Sequence, residues 1–505
     1  MSGFDSYSDY DALGLAELVR KREVSSLELV ETCIARIEQL NPRINAVVYT
    51  MYDMARTRAQ TVADDDPGAP FAGVPFLLKD LLQTIPGVPT NSGSRFWQGH
   101  TVDHEGTLFR RFQEAGLVTV AKTNTPELGL MPISEPELFG PTRNPWDLDR
   151  TAGGSSGGSA SAVAAGIVPM ASGGDGGGSI RIPAACCGLF GLKPTRGRTP
   201  AGPDASEHWN GFAIEHVISR TVRDSAAMLD ATHGPEPFAP YHAPHFDGSW
   251  LEELERAPKG GRPLRIAFHV EPAFHAQVHA DCDAAVRDVA KLLESLGHEV
   301  SEVRPGHDVE RISMAFFTVI GGNTAADLVQ AERKRGRKPG SKDFEVGTQL
   351  AALLGRIFTA GDFSLALSDL HTESRRLQEL YADYDVVLSP TLAQPPVAVG
   401  SMFKKGFEAT LERFIATRGI KSALRLPGVI EKAAKDIFAF SPFCPVQNFT
   451  GQPAMNVPLH WNAAELPIGT MFTGRFGDEL TLFQLARQLE QARPWAQRRP
   501  PVFAS

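Results

Sequence analysis

Between Gly153 and Pro183 the chain carries two clusters of glycine and serine, GGSSGGS at 153–159 and GDGGGSIRIP at 174–183, separated by a short apolar run. Ordering glycine costs more backbone entropy than ordering any other residue. Such density is therefore kept where the chain must adopt φ > 0 or come close to a ligand. Each cluster also holds serine, a nucleophile once a base is at hand. A glycine and serine run by itself has the composition of a linker. Gly153 to Gly157 also fits GxSxG, the nucleophile elbow of α/β hydrolases, which needs a strand before the serine, a helix after it, and Asp and His further on. TRNPWDLDRTA, just ahead of this cluster, reads as loop, which argues against an elbow.

A third motif lies upstream. PFLLKD sets Lys79 among Phe76, Leu77, Leu78, Leu81 and Leu82, a run that reads as a buried strand bounded by Gly73 and Pro75. A lysine at the end of such a strand is inside the protein, and burial lowers the pKa of an amine toward neutrality.

Together these motifs resemble the signature of the amidase signature family, whose members hydrolyse amides. The resemblance implies Ser179 as nucleophile, Lys79 as base, and Ser155 as the bridging serine that relays the proton between them, preceded by a cis peptide bond. Consecutive backbone N–H groups of Gly176, Gly177, Gly178 and Ser179 can turn toward one point as an oxyanion hole, with the donating pair left open. Asp175 and Arg181 stand where the family keeps an acid and a base, and holding the loop is their expected role. Gly129, Leu130 and Met131, in GLMPIS, fall in a region that lines the family's pocket; with Gly154 they are the expected substrate contacts. Their small or apolar side chains favour an uncharged acyl group.

The resemblance extends through KTNTPE (122–127), FGPTRNPW (139–146), GLKPTRGR (191–198), DVVLSPT (385–391) and NFTGQPAMNVP (448–458), and so covers residues 10 to 495 or thereabouts. It implies an α/β fold with one large mixed, mostly parallel sheet covered by helices on both faces. The expected organisation is a single domain over 1–505, with an N-terminal helical region at 10–65, the signature core at 70–230 and a peripheral helical flap near 400–440. Residues 122–198 look most like bacterial nylon-oligomer hydrolases and related broad amidases and urethanases. An alternative is the glutaminase-type subunit of a tRNA amidotransferase. That subunit continues after GLKPT with tyrosine, where this chain has Arg196.

Charge and composition narrow the partners. The 505 residues include 50 basic and 59 acidic ones, for a net charge of −9, with no long basic block, so nucleic acid is not expected. Cys33, Cys186, Cys187, Cys282 and Cys444 form no CxxC pair, which suits a reducing compartment. The N-terminus has no cationic start with an apolar core, and no run of apolar residues reads as long enough to span a bilayer; a cytoplasmic protein is expected. His100 with His104, and His275 with His279, have helical ligand spacing but lack a third ligand. No metal and no cofactor is expected, and a small-molecule amide is the expected partner. A homodimer is left open.

Periodicity places the elements. Ser25 and Glu28 form a capping box ahead of Leu29, Cys33, Ile34 and Ile37, and the helix should stop near Asn41 and Pro42. A second helix is expected over 51–63, further helices over 104–115 and 157–166, and a strand over 118–124. Residues 264–303 read as a βαβ unit and 234–263 as an irregular surface excursion. In the flap, Phe407, Leu411, Phe414 and Ile415 recur at helical spacing among Lys404, Lys405, Arg413, Arg418, Lys421 and Arg425. This is read as a hinged cover, with a membrane-surface helix as the alternative.

Overall fold

The computed structural model describes residues 4–62, 68–256, 262–424, 426 and 428–504. Near the N-terminus, the helix Ser26–Ile44 opens on the expected capping box: Glu28 N–H donates to Ser25 Oγ at 3.2 Å, and Ser25 N–H donates to Glu28 Oε2 at 2.8 Å. It passes through Pro42 and ends only at Asn45, which takes a left-handed φ of +50°. The longer helix buries Leu40 and Ile44 on the same stripe as Cys33 and Ile37, and asparagine tolerates the terminating conformation. The next helix is Tyr52–Ala59; the expected end at Ala63 lies outside the described residues.

Thirteen strands follow in chain order: β1 (Val47–Thr50), β2 (Pro75–Lys79), β3 (Val118–Thr123), β4 (Arg143–Asn144), β5 (Asp147–Thr151), β6 (Met170–Asp175), β7 (Phe190–Lys193), β8 (Ile214–Ser219), β9 (Arg265–Phe268), β10 (Glu299–Glu302), β11 (Val386–Pro390), β12 (Ala454–Trp461) and β13 (Pro467–Gly474). Eleven of them form one sheet in the order β1-β3-β2-β6-β8-β7-β12-β13-β11-β9-β10. The sheet is mixed. β3, β2 and β6 run parallel in one wing and β11, β9 and β10 in the other; between the wings, the joins from β6 to β11 are antiparallel. β4 and β5 pair separately as a ribbon, so the segment read as loop ahead of Ser155 is instead a turn at Pro145–Trp146 flanked by short strands.

Side chains alternate across the sheet, as a pleat requires. Leu77, Ala171, Ile218 and Ala454 pack with the helices Ser26–Ile44, Gly157–Ala164 and Arg181–Cys187, while Phe76, Leu78, Met170 and Val217 pack with Ala12–Arg20 and Thr107–Glu114. Both faces are covered by helices. Near the C-terminal half, β9, the helix Ala280–Ser295 and β10 make the expected parallel unit.

Three regions differ from the sequence expectations. The stretch at 234–263 contains the helix Trp250–Arg256, whose Trp250 and Leu254 are buried, while residues 257–261 lie outside the described set. The helix Val309–Arg335 is long and apolar enough to cross a membrane by length and composition, which the sequence reading missed, but 61% of its apolar window is buried in the fold. The flap comprises the helices Gly406–Arg418, Lys421–Leu424 and Val429–Phe438, and Arg425 lies outside the described residues. Phe407 and Phe414 are 80% and 52% exposed, whereas Phe438 turns inward, with its ring 5.6 Å from that of Phe316.

Candidate active site

Lys79 closes β2, where Ser172 Oγ on the neighbouring β6 accepts its backbone N–H at 2.7 Å. That bond fixes the register between the two strands at the point where the side chain leaves the sheet. Lys79 is buried, with its Nζ 2.7 Å from Ser155 Oγ and 3.4 Å from the carbonyl of Gly174. Burial lowers its pKa to about 7, against smaller opposing pulls from Glu215 and Asp175. An amine whose uncharged form is available near neutral pH, with one hydroxyl in reach, is chemically a base.

Ser155 lies between β5 and the helix Gly157–Ala164, the strand–serine–helix order of an elbow, yet its hydroxyl meets a lysine and no histidine. The Gly154–Ser155 peptide bond is cis. Ser134 Oγ donates to the Ser155 carbonyl at 3.2 Å and accepts the N–H of Gly157 at 3.0 Å, which clamps the turn from outside. Around it the glycines are crowded: a Cβ on Gly154 would stand 2.6 Å from the Ile133 backbone, and one on Gly153 2.8 Å from Pro183. The α-carbon of Gly154 therefore faces protein, which makes this glycine a packing requirement at that atom.

Ser179 follows β6 through the turn Gly176–Gly177–Gly178 and is 9% exposed. Its chain is tied to the bridging segment where Ser156 N–H donates to the Ser179 carbonyl at 3.3 Å. No hydrogen bond joins the hydroxyls of Ser155 and Ser179 among the described residues. Asp175 organises the loop: its carboxylate accepts the N–H of Gly178 at 2.8 Å and of Ile180 at 3.2 Å, and pairs with Arg181 Nε and Nη2, both at 2.9 Å. Arg181 also reaches Gln447 Oε1 at 2.9 Å and Asn448 Oδ1 at 2.8 Å, while Asn448 Nδ2 donates to the Asp175 carbonyl at 2.9 Å. Burial alone would raise the Asp175 carboxyl, but the Arg181 charge overrides it and holds the group well below the ordinary carboxylate range.

The Gly178 amide is thereby used within the loop, which corrects its expected place in the oxyanion hole. The N–H groups of Gly176, Gly177 and Ser179 make no hydrogen bond among the described residues and are the donors left for a ligand. Gly178 has φ +122°, and a Cβ there would stand 2.5 Å from Cys444 Cβ. Gly177 is different. A Cβ on it would meet only Phe316 Cζ, at 3.9 Å, so this glycine looks into open space walled by an aromatic ring.

The walls were only partly anticipated. Gly129 is close, since a Cβ on it would lie 3.2 Å from Ser155 Oγ, and Leu130 and Met131 beside it are half-buried. Phe316 stacks on Phe212 with ring centroids 5.8 Å apart, and Trp209 lies against Gly176, 2.9 Å from where its Cβ would be. Neither ring has a sequence signal, because both come from distant segments. Glu215 carried one, as the lone carboxylate in the strand-like run IEHVIS, and the partners Gln447 and Asn448 sit at the edge of the NFTGQP motif. Among the described residues no group of three or more His, Cys, Asp or Glu side chains could hold a metal ion, and all five cysteines are free and buried.

Comparison with known proteins agrees with this architecture. The family model described as Amidase matches residues 28–483. The 6-aminohexanoate-cyclic-dimer hydrolase of Paenarthrobacter ureafaciens is 34% identical over 98% of this chain and 97% of its own length. A solved structure of 6-aminohexanoate cyclic dimer hydrolase with substrate superposes with a TM-score of 0.87 at 33% identity, covering 99% of this chain and all 100% of that one. A bacterial aryl acylamidase of the amidase signature family superposes with a TM-score of 0.84 at 30% identity, over 97% of each chain. With a family model over most of its length, relatives above 30% identity along the whole chain and the same fold, this chain belongs to the amidase signature family of amide-bond hydrolases.

Proposed function

We propose that the protein cleaves a carboxamide of a small to medium apolar substrate through an acyl-enzyme on Ser179. The observation that carries this is the 2.7 Å contact between the buried Lys79 amine and Ser155 Oγ, beside a serine whose loop presents free amides. In the proposed reaction the neutral amine takes the Ser155 proton, Ser155 takes the Ser179 proton, and Ser179 Oγ bonds to the carbonyl carbon. The oxygen that becomes negative is held by the N–H groups of Gly176, Gly177 and Ser179. The proton returns through Ser155 to the nitrogen as the C–N bond breaks and the amine leaves. Water then adds to the acyl carbon by the same relay and releases the acid and Ser179.

An apolar acyl group is supported by the Phe316 and Trp209 walls and by Leu130 and Met131, none of which offers a charge to a glutamine-like substrate. The named relatives, a cyclic-dimer hydrolase and an aryl acylamidase, point the same way. Anilides, nylon-type oligomers, esters and carbamates are the substrates to try first. The amidotransferase reading gains nothing here, because Arg196 donates to the carbonyls of Asn448 and Phe449 and braces the loop that holds Asp175.

The test is covalent labelling with a fluorophosphonate together with turnover on a panel of amides. Native protein should label once, on Ser179, and hydrolyse neutral anilides faster than glutamine. Ser179→Ala should lose labelling and turnover together. Label on Ser155 in the native protein, or turnover surviving in Ser179→Ala, overturns the assignment.

A further inference from the structure

Beside the site one acidic residue lies on a fully buried strand. Glu215, on β8, is paired in register with Gly174 on β6 and is 6% exposed. Gln83 Nε2 donates to its Oε2 at 2.5 Å, and Gln83 is in turn fixed because Phe109 N–H donates to its Oε1 at 3.1 Å. A methyl group placed on Gly174 would stand 3.4 Å from Glu215 Cγ and 3.9 Å from Lys79 Nζ, so the Glu215 side chain and the amine flank the same glycine. The reaction just described does not use this carboxyl.

We propose that Glu215 is a positioning residue for the hydrolysis: it sets the pH at which Lys79 becomes the free amine that the two serines need. This rests on Lys79 being the base. A carboxylate on the neighbouring strand favours the ammonium and withholds the base, whereas a protonated carboxyl does neither. Burial lifts Glu215 to about 7 and lowers Lys79 to about 7, so the two groups change charge in the same range. One proton passing from the ammonium to the carboxylate leaves a neutral amine and a neutral acid, with no change of net charge. Titration of such a pair belongs to both groups together.

The other groups around the pair leave this pairing dominant. Asp175, at the end of β6, faces Lys79, but its charge is engaged by Arg181 from the helix Arg181–Cys187. Ser155 and Ser172 are neutral. On the Glu215 side the packed neighbour is the Gln83 amide, and Lys79 is the ionisable group that acts on it. Asp80, next to Lys79 in the chain, is paired with Lys122 at 3.6 Å.

The experiment is the pH dependence of kcat/KM for a neutral anilide and of fluorophosphonate labelling at Ser179, in native protein and in Glu215→Gln. The replacement is isosteric and keeps an oxygen for Gln83. Both acid limbs should move to lower pH, by about one unit, because the ammonium loses its carboxylate. Gln83→Leu, which strips the carboxylate of its donor and favours its protonated form, should move the limb in the same direction by less. It serves as the second variant should Glu215→Gln fail to unfold cooperatively. A lowered plateau with both limbs at the native pH, in either folded variant, overturns the proposal and marks Glu215 as merely structural. Failure of the underlying reading looks different, as native protein that is not labelled at Ser179.

Discussion

Arg181→Met removes the cation that pairs with Asp175 behind the nucleophile loop. Both side chains are fully buried, so the variant leaves a carboxylate in the interior without its counter-charge. Breaking a buried pair by removing one partner costs about 3–5 kcal/mol. The N–H groups of Gly178 and Ile180 and the Asn448 amide still reach Asp175, which places this variant at the lower end, about 3 kcal/mol. The sign of the pH dependence also follows. In the native protein the Asp175 carboxyl is held below its unfolded value, so its stabilisation is fully present above that value and is lost only as pH falls through the lower folded one. In Arg181→Met burial raises the carboxyl instead. Each pH unit between the unfolded value and the new one then costs about 1.4 kcal/mol. Urea unfolding at about pH 5 and about pH 7.5 should therefore give a larger loss at the higher pH. Asp175→Asn combined with Arg181→Met should recover part of it, because no charge is left buried. A loss under about 1 kcal/mol, or one equal at both pH values, would refute the reasoning.

Turnover should fall on the acid side with a midpoint near the Lys79 value of about 7 and rise above it, since protonation removes the base; a pH–rate profile of Lys79→Ala should lack that limb. Ser155→Ala should lose more activity on amides than on activated esters, whose leaving groups need no proton, and parallel kcat/KM series on matched amide and ester pairs measure the difference. Gly178→Ala should abolish most turnover while the protein still folds, because the added carbon at φ +122° would sit 2.5 Å from Cys444 Cβ and displace the free amides; Ser179 labelling rate and circular dichroism separate the two effects.

Local signals in the chain were enough for part of this protein. Ser25 with Glu28 marks a helix start that any tertiary setting would honour, because the cap and its hydrogen bonds lie within four residues. Lys79 in PFLLKD and the crowded glycines around Ser155 and Ser179 announce buried, close-approach chemistry for the same reason: the requirement is written in adjacent residues. Pro42 misled at a boundary, since the stripe ending in Ile44 outweighed one lost helical bond. What only the folded structure decided involves partners far apart in sequence. Asp175 takes the Gly178 amide and so removes it from the oxyanion donors, a choice held in place by Arg181 and by Gln447 and Asn448, which converge on that arginine from a segment more than 260 residues away. Phe316, Trp209 and Glu215 reach the site from a helix, a turn and a strand with no shared motif. Short-range backbone demands leave a mark on neighbouring residues, whereas the burial and charge that set a pKa or shape a pocket wall arise only when the sheet brings distant strands together.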